Sequence, residues 1–199
     1  MRWILLFAAA TLLAPRAFAQ QPPSGLPAIE FNVEVHGTTL SEFTAKMDAY
    51  AALRRLLQEG VPPLAVTDDP DEIRRAERLL AQRIRRARSG DARGDMFTPA
   101  IRDGFRQLLR PVTNAATCEL IRDDNPGEFA FEINGEYPKN KPLSTVPASM
   151  LAVLPRLPED VYYRFLDRDL ILHDLRANVI LDRIDDAIRC DGQGGAVGD

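Results

Sequence analysis

Two cysteines, two histidines and a single tryptophan are all that 199 residues offer of the rarer side chains. No cysteines are spaced as CxxC and neither histidine belongs to an HExxH stretch, so the thioredoxin-like and zincin classes have no support. The chain also lacks a GxSxG elbow, a glycine-rich phosphate loop and a dinucleotide fingerprint, which sets aside the motif-bearing hydrolases and nucleotide enzymes. Only one apolar run approaches membrane-spanning length, at the N-terminus, and this excludes a multi-pass membrane protein. No motif asks for a metal or another cofactor. What is present suits a globular protein with a sizeable core: 45% hydrophobic residues, 27% charged residues and a formal charge of -4.

The N-terminus has the three parts of a secretory signal. Met1-Arg2 is positive, Trp3 to Ala14 is apolar, and Ala17-Phe18-Ala19 is a small-x-small site before Gln20. Pro15 and Arg16 interrupt the run before it reaches the roughly 20 apolar residues of a spanning helix. Cleavage between Ala19 and Gln20 is expected to release a bacterial periplasmic or secreted protein. No cysteine at that site accepts lipid, so no stable membrane anchor is expected. Cys118 and Cys190 both lie in the mature part, and an even count in an oxidising compartment favours a disulfide. The alternative is a reactive thiolate assisted by His173 or His36, which needs a thiolate-stabilising environment.

Residues 20–28 read as a flexible leader, 29–190 as a single α+β domain and the glycine-rich 191–199 as a disordered tail. Ile29, Phe31, Val33 and Val35 alternate with Glu30, Asn32, Glu34 and His36, the period of an edge strand or extended arm. Thr39-Leu40-Ser41-Glu42 has capping-box spacing, so a first helix is predicted there, with Leu40, Phe43, Met47, Tyr50 and Leu57 inward, until Gly60. Asp69-Pro70-Asp71-Glu72 combines a cap, a proline and two acids at the positive end of a second helix. Its apolar side is Ile73, Ala76, Leu80, Ile84 and Ala87. Thr98-Pro99 opens a third helix.

Beyond Pro111 the texture changes. Residues 117–122 and 128–133, around the turn 123–127, read as a β-hairpin, and Asn134-Gly135 as a tight turn. One short helix fits between Pro147 and Pro155. Residues 161–166 and 170–173 form a strand pair around Asp167-Arg168-Asp169. Residues 175–189 are predicted as a last helix, with Ala177, Ile180, Leu181, Ile184 and Ile188 inward. The expected fold is α+β: three N-terminal helices packed with a small mainly antiparallel sheet and a C-terminal helix.

Arginine is the chief peculiarity. Ile73 to Arg110 holds eleven arginines against four acids, a balance of +7, and the rest of the mature chain carries -13. Arg83, Arg85, Arg86 and Arg88 lie off the apolar side of the second helix. Guanidinium groups there suit phosphates or carboxylates, on an anionic envelope ligand or an acidic envelope protein. The plain alternative is a solvated face paired with the acidic half of the molecule, where each exposed pair stabilises by only about 0–1 kcal/mol. Nucleic acid is a poor partner for an acidic, exported chain with no aromatics interleaved in its basic run.

Asp167, Asp169, His173, Asp174, Asp182, Asp185 and Asp186 form a second cluster, able to serve as acid, base or metal ligands if it converges. Structural roles explain the same residues: Asp167 and Asp169 in a turn, Asp174 at a helix N-cap, and the last three on the outer side of the last helix. The turn 123–128 lacks the ligand order of an EF-hand. His36, at a strand exit before a helix, either meets an anion or marks a boundary. Arg93-Gly94-Asp95 is too short a match to the adhesion tripeptide to carry weight.

The reading that follows is a periplasmic, non-enzymatic binding or accessory protein without cofactor, using Arg83, Arg85, Arg86 and Arg88. Its rival is a small hydrolase or metal-dependent enzyme built on His173, Asp174 and Asp169, or on His36. A third is an envelope component that binds itself, although nothing in the sequence sets an oligomeric state.

Overall fold

Residues 33–59, 61, 68–90, 94–127 and 129–190 are described by a computed structural model. The expected signal peptide, leader and tail lie outside these residues, as do 29–32 of the expected first strand. From Val33 the chain is helical: α1 spans Val33–Gln58. Thr39, Phe43, Met47, Tyr50 and Arg54 are buried at the three-to-four-residue spacing of one helix face. Val33, Val35 and His36 therefore belong to a helix and not to an edge strand. An alternating run with no partner strand gains no ladder hydrogen bonds, whereas each residue added to an existing helix closes one more.

The expected cap at Thr39 is also displaced. Ser41 Oγ and Thr44 Oγ1 donate to the carbonyls of Gly37 and Leu40 at 2.8 and 2.9 Å, as hydroxyls do inside a helix. Thr39 instead marks the crossing of α1 with α3 (Pro99–Leu109). A Cβ on Gly104 would lie 3.2 Å from Thr39 Cγ2, so a glycine is what lets the two helices approach there.

Between them α2 covers Pro70–Ala87, and both α2 and α3 start at the expected caps, Asp69 and Thr98. Asp69 Oδ1 accepts the Asp71 N–H at 2.8 Å. The three helices enclose an aromatic centre in which the Phe43 ring lies 4.9 Å from Phe105 and 5.6 Å from Phe97.

The predicted hairpin after Pro111 is absent from the described residues. Ala115–Asp123 is a helix, α4, nucleated by a reciprocal box: Asn114 Oδ1 accepts the Thr117 N–H at 3.1 Å, and Thr117 Oγ1 accepts the Asn114 N–H at 2.9 Å. Those two bonds satisfy donors that a strand would have left to a partner. Phe129 and Phe131 follow in irregular chain, and Asn134, at φ 64°, makes the expected turn. A short helix, α5 (Ala148–Leu151), sits where the proline spacing places it.

The sheet is an antiparallel meander in the order β1 (Val161–Leu166), β2 (Asp169–Asp174), β3 (Val179–Ile184). β1 and β2 are the expected strand pair. β3 replaces the predicted C-terminal helix. Asp174 Oδ1 takes the Ala177 N–H at 2.9 Å, Asn178 turns the chain at φ 51°, and the following Val-Ile-Leu run pairs with β2. A helix-spaced apolar pattern that includes β-branched residues also fits a strand once a bulge is allowed. Leu172 faces Asp182 while His173 faces Ile180, which leaves Leu181 as the extra residue. One side of the sheet joins the helical core through Tyr163, Phe165, Leu170, Leu172 and Leu181. The other packs Ile171 and Ile180 under Tyr137, Phe129 and Phe131. Cys118 and Cys190 form a disulfide that ties α4 to the chain beyond β3. The described chain is thus α+β. None of its helices is long and apolar enough to cross a membrane.

Candidate functional site

Successive side chains of a strand point to opposite faces, and that separates the two most suggestive residues. His173 and Asp174 are both fully buried, but the sheet lies between their side chains. Asp174 faces the helices, where its Oδ2 accepts the Tyr50 phenol at 2.6 Å and lies 3.5 Å from Arg54 Nη1. Burial first, then the Asp174 charge, pushes the Tyr50 pKa far up, so the phenol stays a donor. Arg54 continues the network to Asp160 at 3.1 Å and to the Glu159 carbonyl at 2.8 Å.

Asp182, expected on the outside of a helix, is fully buried. Its oxygens accept the backbone N–H groups of Gly94, Met96, Phe97 and Arg183 at 2.8 to 3.1 Å. Asp169 stands apart, at the β1–β2 turn, with Oδ1 on the Asp186 N–H at 2.9 Å. His173, Asp174 and Asp169 are therefore not brought together. Among the described residues no group of three His, Cys, Asp or Glu side chains is placed to hold a metal.

On the opposite face His173 Nδ1 accepts the Arg164 Nε–H at 3.0 Å, and Nε2 lies 3.1 Å from Asn178 Oδ1. Asn178 Nδ2 donates to the Tyr137 carbonyl at 2.9 Å, which orients the amide with its oxygen toward the ring. Arginine can only donate, so the imidazole is neutral and carries its proton on Nε2. The Tyr137 ring lies against it at 5.1 Å. Burial lowers the His173 pKa to about 4, with the Arg164 charge assisting and the Asn178 hydrogen bond opposing. Both nitrogens are engaged, which leaves none to take a proton from a substrate.

This arrangement sets a pH dependence. Between the ordinary value near 6.5 and the depressed one near 4, the unfolded chain binds a proton at His173 that the native chain does not. Stability is therefore full above that window and falls as the pH drops through it, by on the order of 3 kcal/mol. Urea unfolding at pH about 7 and about 5 measures the slope, which should be shallower in His173→Gln. Equal slopes in the two proteins would refute the assignment.

The four arginines singled out in sequence, three in the C-terminal half of α2 and Arg88 at its C-cap, are distributed rather than gathered. Arg83 Nη1 donates to the carbonyls of Leu57 and Glu59, each at 2.8 Å, and so closes the end of α1. Arg88 is buried, with Nε on Asn134 Oδ1 at 2.8 Å and Nη2 on the Leu181 carbonyl at 3.1 Å. Arg85 pairs with Glu136 at 3.2 Å, and Arg86 is exposed. His36 lies in the first turn of α1, so it neither leaves a strand nor stands before a separate helix.

Sequence reasoning passed over Arg54, Arg164, Ser144 and Asn178. A charge at an inward position was the available signal: Arg54 continues the Tyr50 stripe, and Arg164 interrupts the apolar run of β1. A wide cleft of about 580 Å³ lies beside that strand, lined by 144–146, 151 and 154–164. A second, of about 480 Å³, is lined by Arg106, Arg110 and Arg189 beside the disulfide. Comparisons of the chain with protein-family models, curated proteins and solved structures found no match to any of them.

Proposed function

We propose that this chain is an exported, non-enzymatic binding or accessory protein of the bacterial periplasm that recognises an anionic envelope component or an acidic protein. The observation that carries the non-enzymatic part is the engagement of His173. Its two nitrogens, like the oxygens of Asp174, bond to groups of the same chain, where a catalytic acid or base needs an atom facing substrate. The signal-like N-terminus and the Cys118–Cys190 disulfide both suit an oxidising compartment. On α2 the outward share of any anion recognition falls to Arg85 and Arg86, since Arg83 and Arg88 hold the fold together.

Expression of the full chain with a C-terminal tag, followed by fractionation and intact mass, tests the export. The expected product is periplasmic, begins at Gln20 and resists thiol alkylation. A cytoplasmic product that retains Met1, or that carries free thiols, would overturn it. Turnover of ester or peptide substrates that is lost in His173→Gln would overturn the non-enzymatic part.

A further inference from the structure

Arg164 enters the sheet from β1 and is only 7% exposed. Its Nε donates to His173 Nδ1 at 3.0 Å and its Nη1 to the Ser144 carbonyl at 2.8 Å, while Nη2 donates to none of the described residues. Both acceptors are neutral, and no carboxylate of the described residues pairs with it. Burial works against the charge, eased by two phenols, Tyr137 and Tyr162; the guanidinium carbon stacks 5.6 Å from the Tyr162 ring centre. A buried cation without a counter-ion is an unfavourable arrangement in a finished core. It is a natural one where a bound anion completes the pair.

Arg164 and Ser144 both line the 580 Å³ cleft beside β1. Ser144 is 1% exposed, and its Oγ has no hydrogen-bond partner. The Tyr137 phenol near it donates to the Pro142 carbonyl instead, at 2.7 Å. A cationic donor and a buried hydroxyl beside the Tyr137 phenol thus stand on residues already joined by a hydrogen bond. The walls are apolar, formed by Val146, Leu151, Leu154, Pro155, Leu157 and Tyr162. Leu151 and Tyr162 remain 49% and 45% exposed, a large apolar face for water to cover. Charges at the rim are mixed. Arg156 is opposed by Glu159 and by Asp160, and Asp160 is already paired to Arg54.

We infer that this cleft binds a small amphipathic monocarboxylate, its head on Arg164 Nη2 and Ser144 Oγ and its apolar body along Leu151, Leu154 and Leu157. A planar carboxylate matches the guanidinium fork, and the apolar walls match a hydrocarbon body. A phosphate or a polyanion fits less well, because its second charge would be desolvated with no second cation inside and two carboxylates at the rim. The inference rests on the binding reading above and names the chemistry recognised.

The test is calorimetry on purified mature protein with decanoate, decanol and inorganic phosphate as probes. Decanoate is expected to bind one per chain, decanol and phosphate to bind about tenfold more weakly or not at all. Arg164→Gln and Ser144→Ala should each weaken decanoate about tenfold. Because Arg164 is buried, Leu151→Glu at the exposed wall serves as a variant that leaves the core untouched, and it too should weaken decanoate about tenfold. A free-acid hydrophobic peptide that outcompetes decanoate would reassign the site to protein C-termini and overturn the small-molecule form. Absent decanoate binding, stronger phosphate binding, or unchanged affinity in Leu151→Glu would overturn the inference. None of these outcomes bears on export or oxidation, which the fractionation experiment reads separately.

Discussion

Asp182→Asn is expected to destabilise the protein by about 4 kcal/mol, more than any other single isosteric change considered. The carboxylate is fully buried and gathers four backbone donors: Gly94 on both oxygens, Met96 and Phe97 on Oδ2, Arg183 on Oδ1. An amide keeps one acceptor oxygen and turns an NH2 group toward the remaining N–H groups, so donors that were bonded become buried and unpaired. The loss spreads because of what the loop carries. Gly94 holds a φ of 94°, a conformation suited to glycine, and three residues later Phe97 enters the aromatic centre fully buried. Asp182 thereby couples β3 to the start of α3. Urea unfolding measures the effect, with an unchanged m-value expected; a loss below about 1 kcal/mol would show that solvent or a rearranged loop satisfies these donors.

Removal of the disulfide by Cys118→Ala with Cys190→Ala should have an effect of similar size. The two cysteines are 72 residues apart in sequence, and freeing a loop of that length raises the entropy of the unfolded chain by the equivalent of about 4 kcal/mol, with measured values often smaller. The native state should change little. Ala187 and Ile188 remain buried in the core, and their N–H groups donate to the Arg168 carbonyl at 2.9 and 3.4 Å. The expected signature is a lowered urea midpoint with hydrogen-exchange protection at Ala187 retained relative to the global stability. Selective loss of protection at 185–190 alone would mean that the bridge acts as a local clasp for the chain end and not through the unfolded state.

The residues that made α2 and α3 legible act within one turn. Asp69 and Thr98 cap their own helices, so spacing along the chain is sufficient information. The strand pair β1–β2 was legible for the same reason, since only a two-residue turn separates its halves. Three elements were misjudged where a local signal was ambiguous, the first being the alternating run at 33–36, which is helical. Thr117, which reads in sequence as the start of a β-prone stretch, forms a reciprocal cap with Asn114. The apolar run of β3 has helical spacing until Asn178 and the bulge at Leu181 set it in the sheet. The arginines of α2 were visible as a charge surplus, but their destinations depend on contacts across the fold: the end of α1 for Arg83, Asn134 and Leu181 for Arg88.

Local chemistry alone therefore determined the α+β class, the starts of two helices, the strand pair and the cysteines available for pairing. Whether the acidic cluster converges was decided by tertiary structure, because alternation along β2 sends His173 and Asp174 to opposite faces of the sheet. Tertiary structure also decided that Asp182 is an anchor, since three of its four donors come from a loop 85 to 88 residues away. The same holds for Arg164. A guanidinium in a strand is unremarked in sequence, and only the packed fold leaves it buried, paired to no carboxylate of the described residues, beside an apolar cleft.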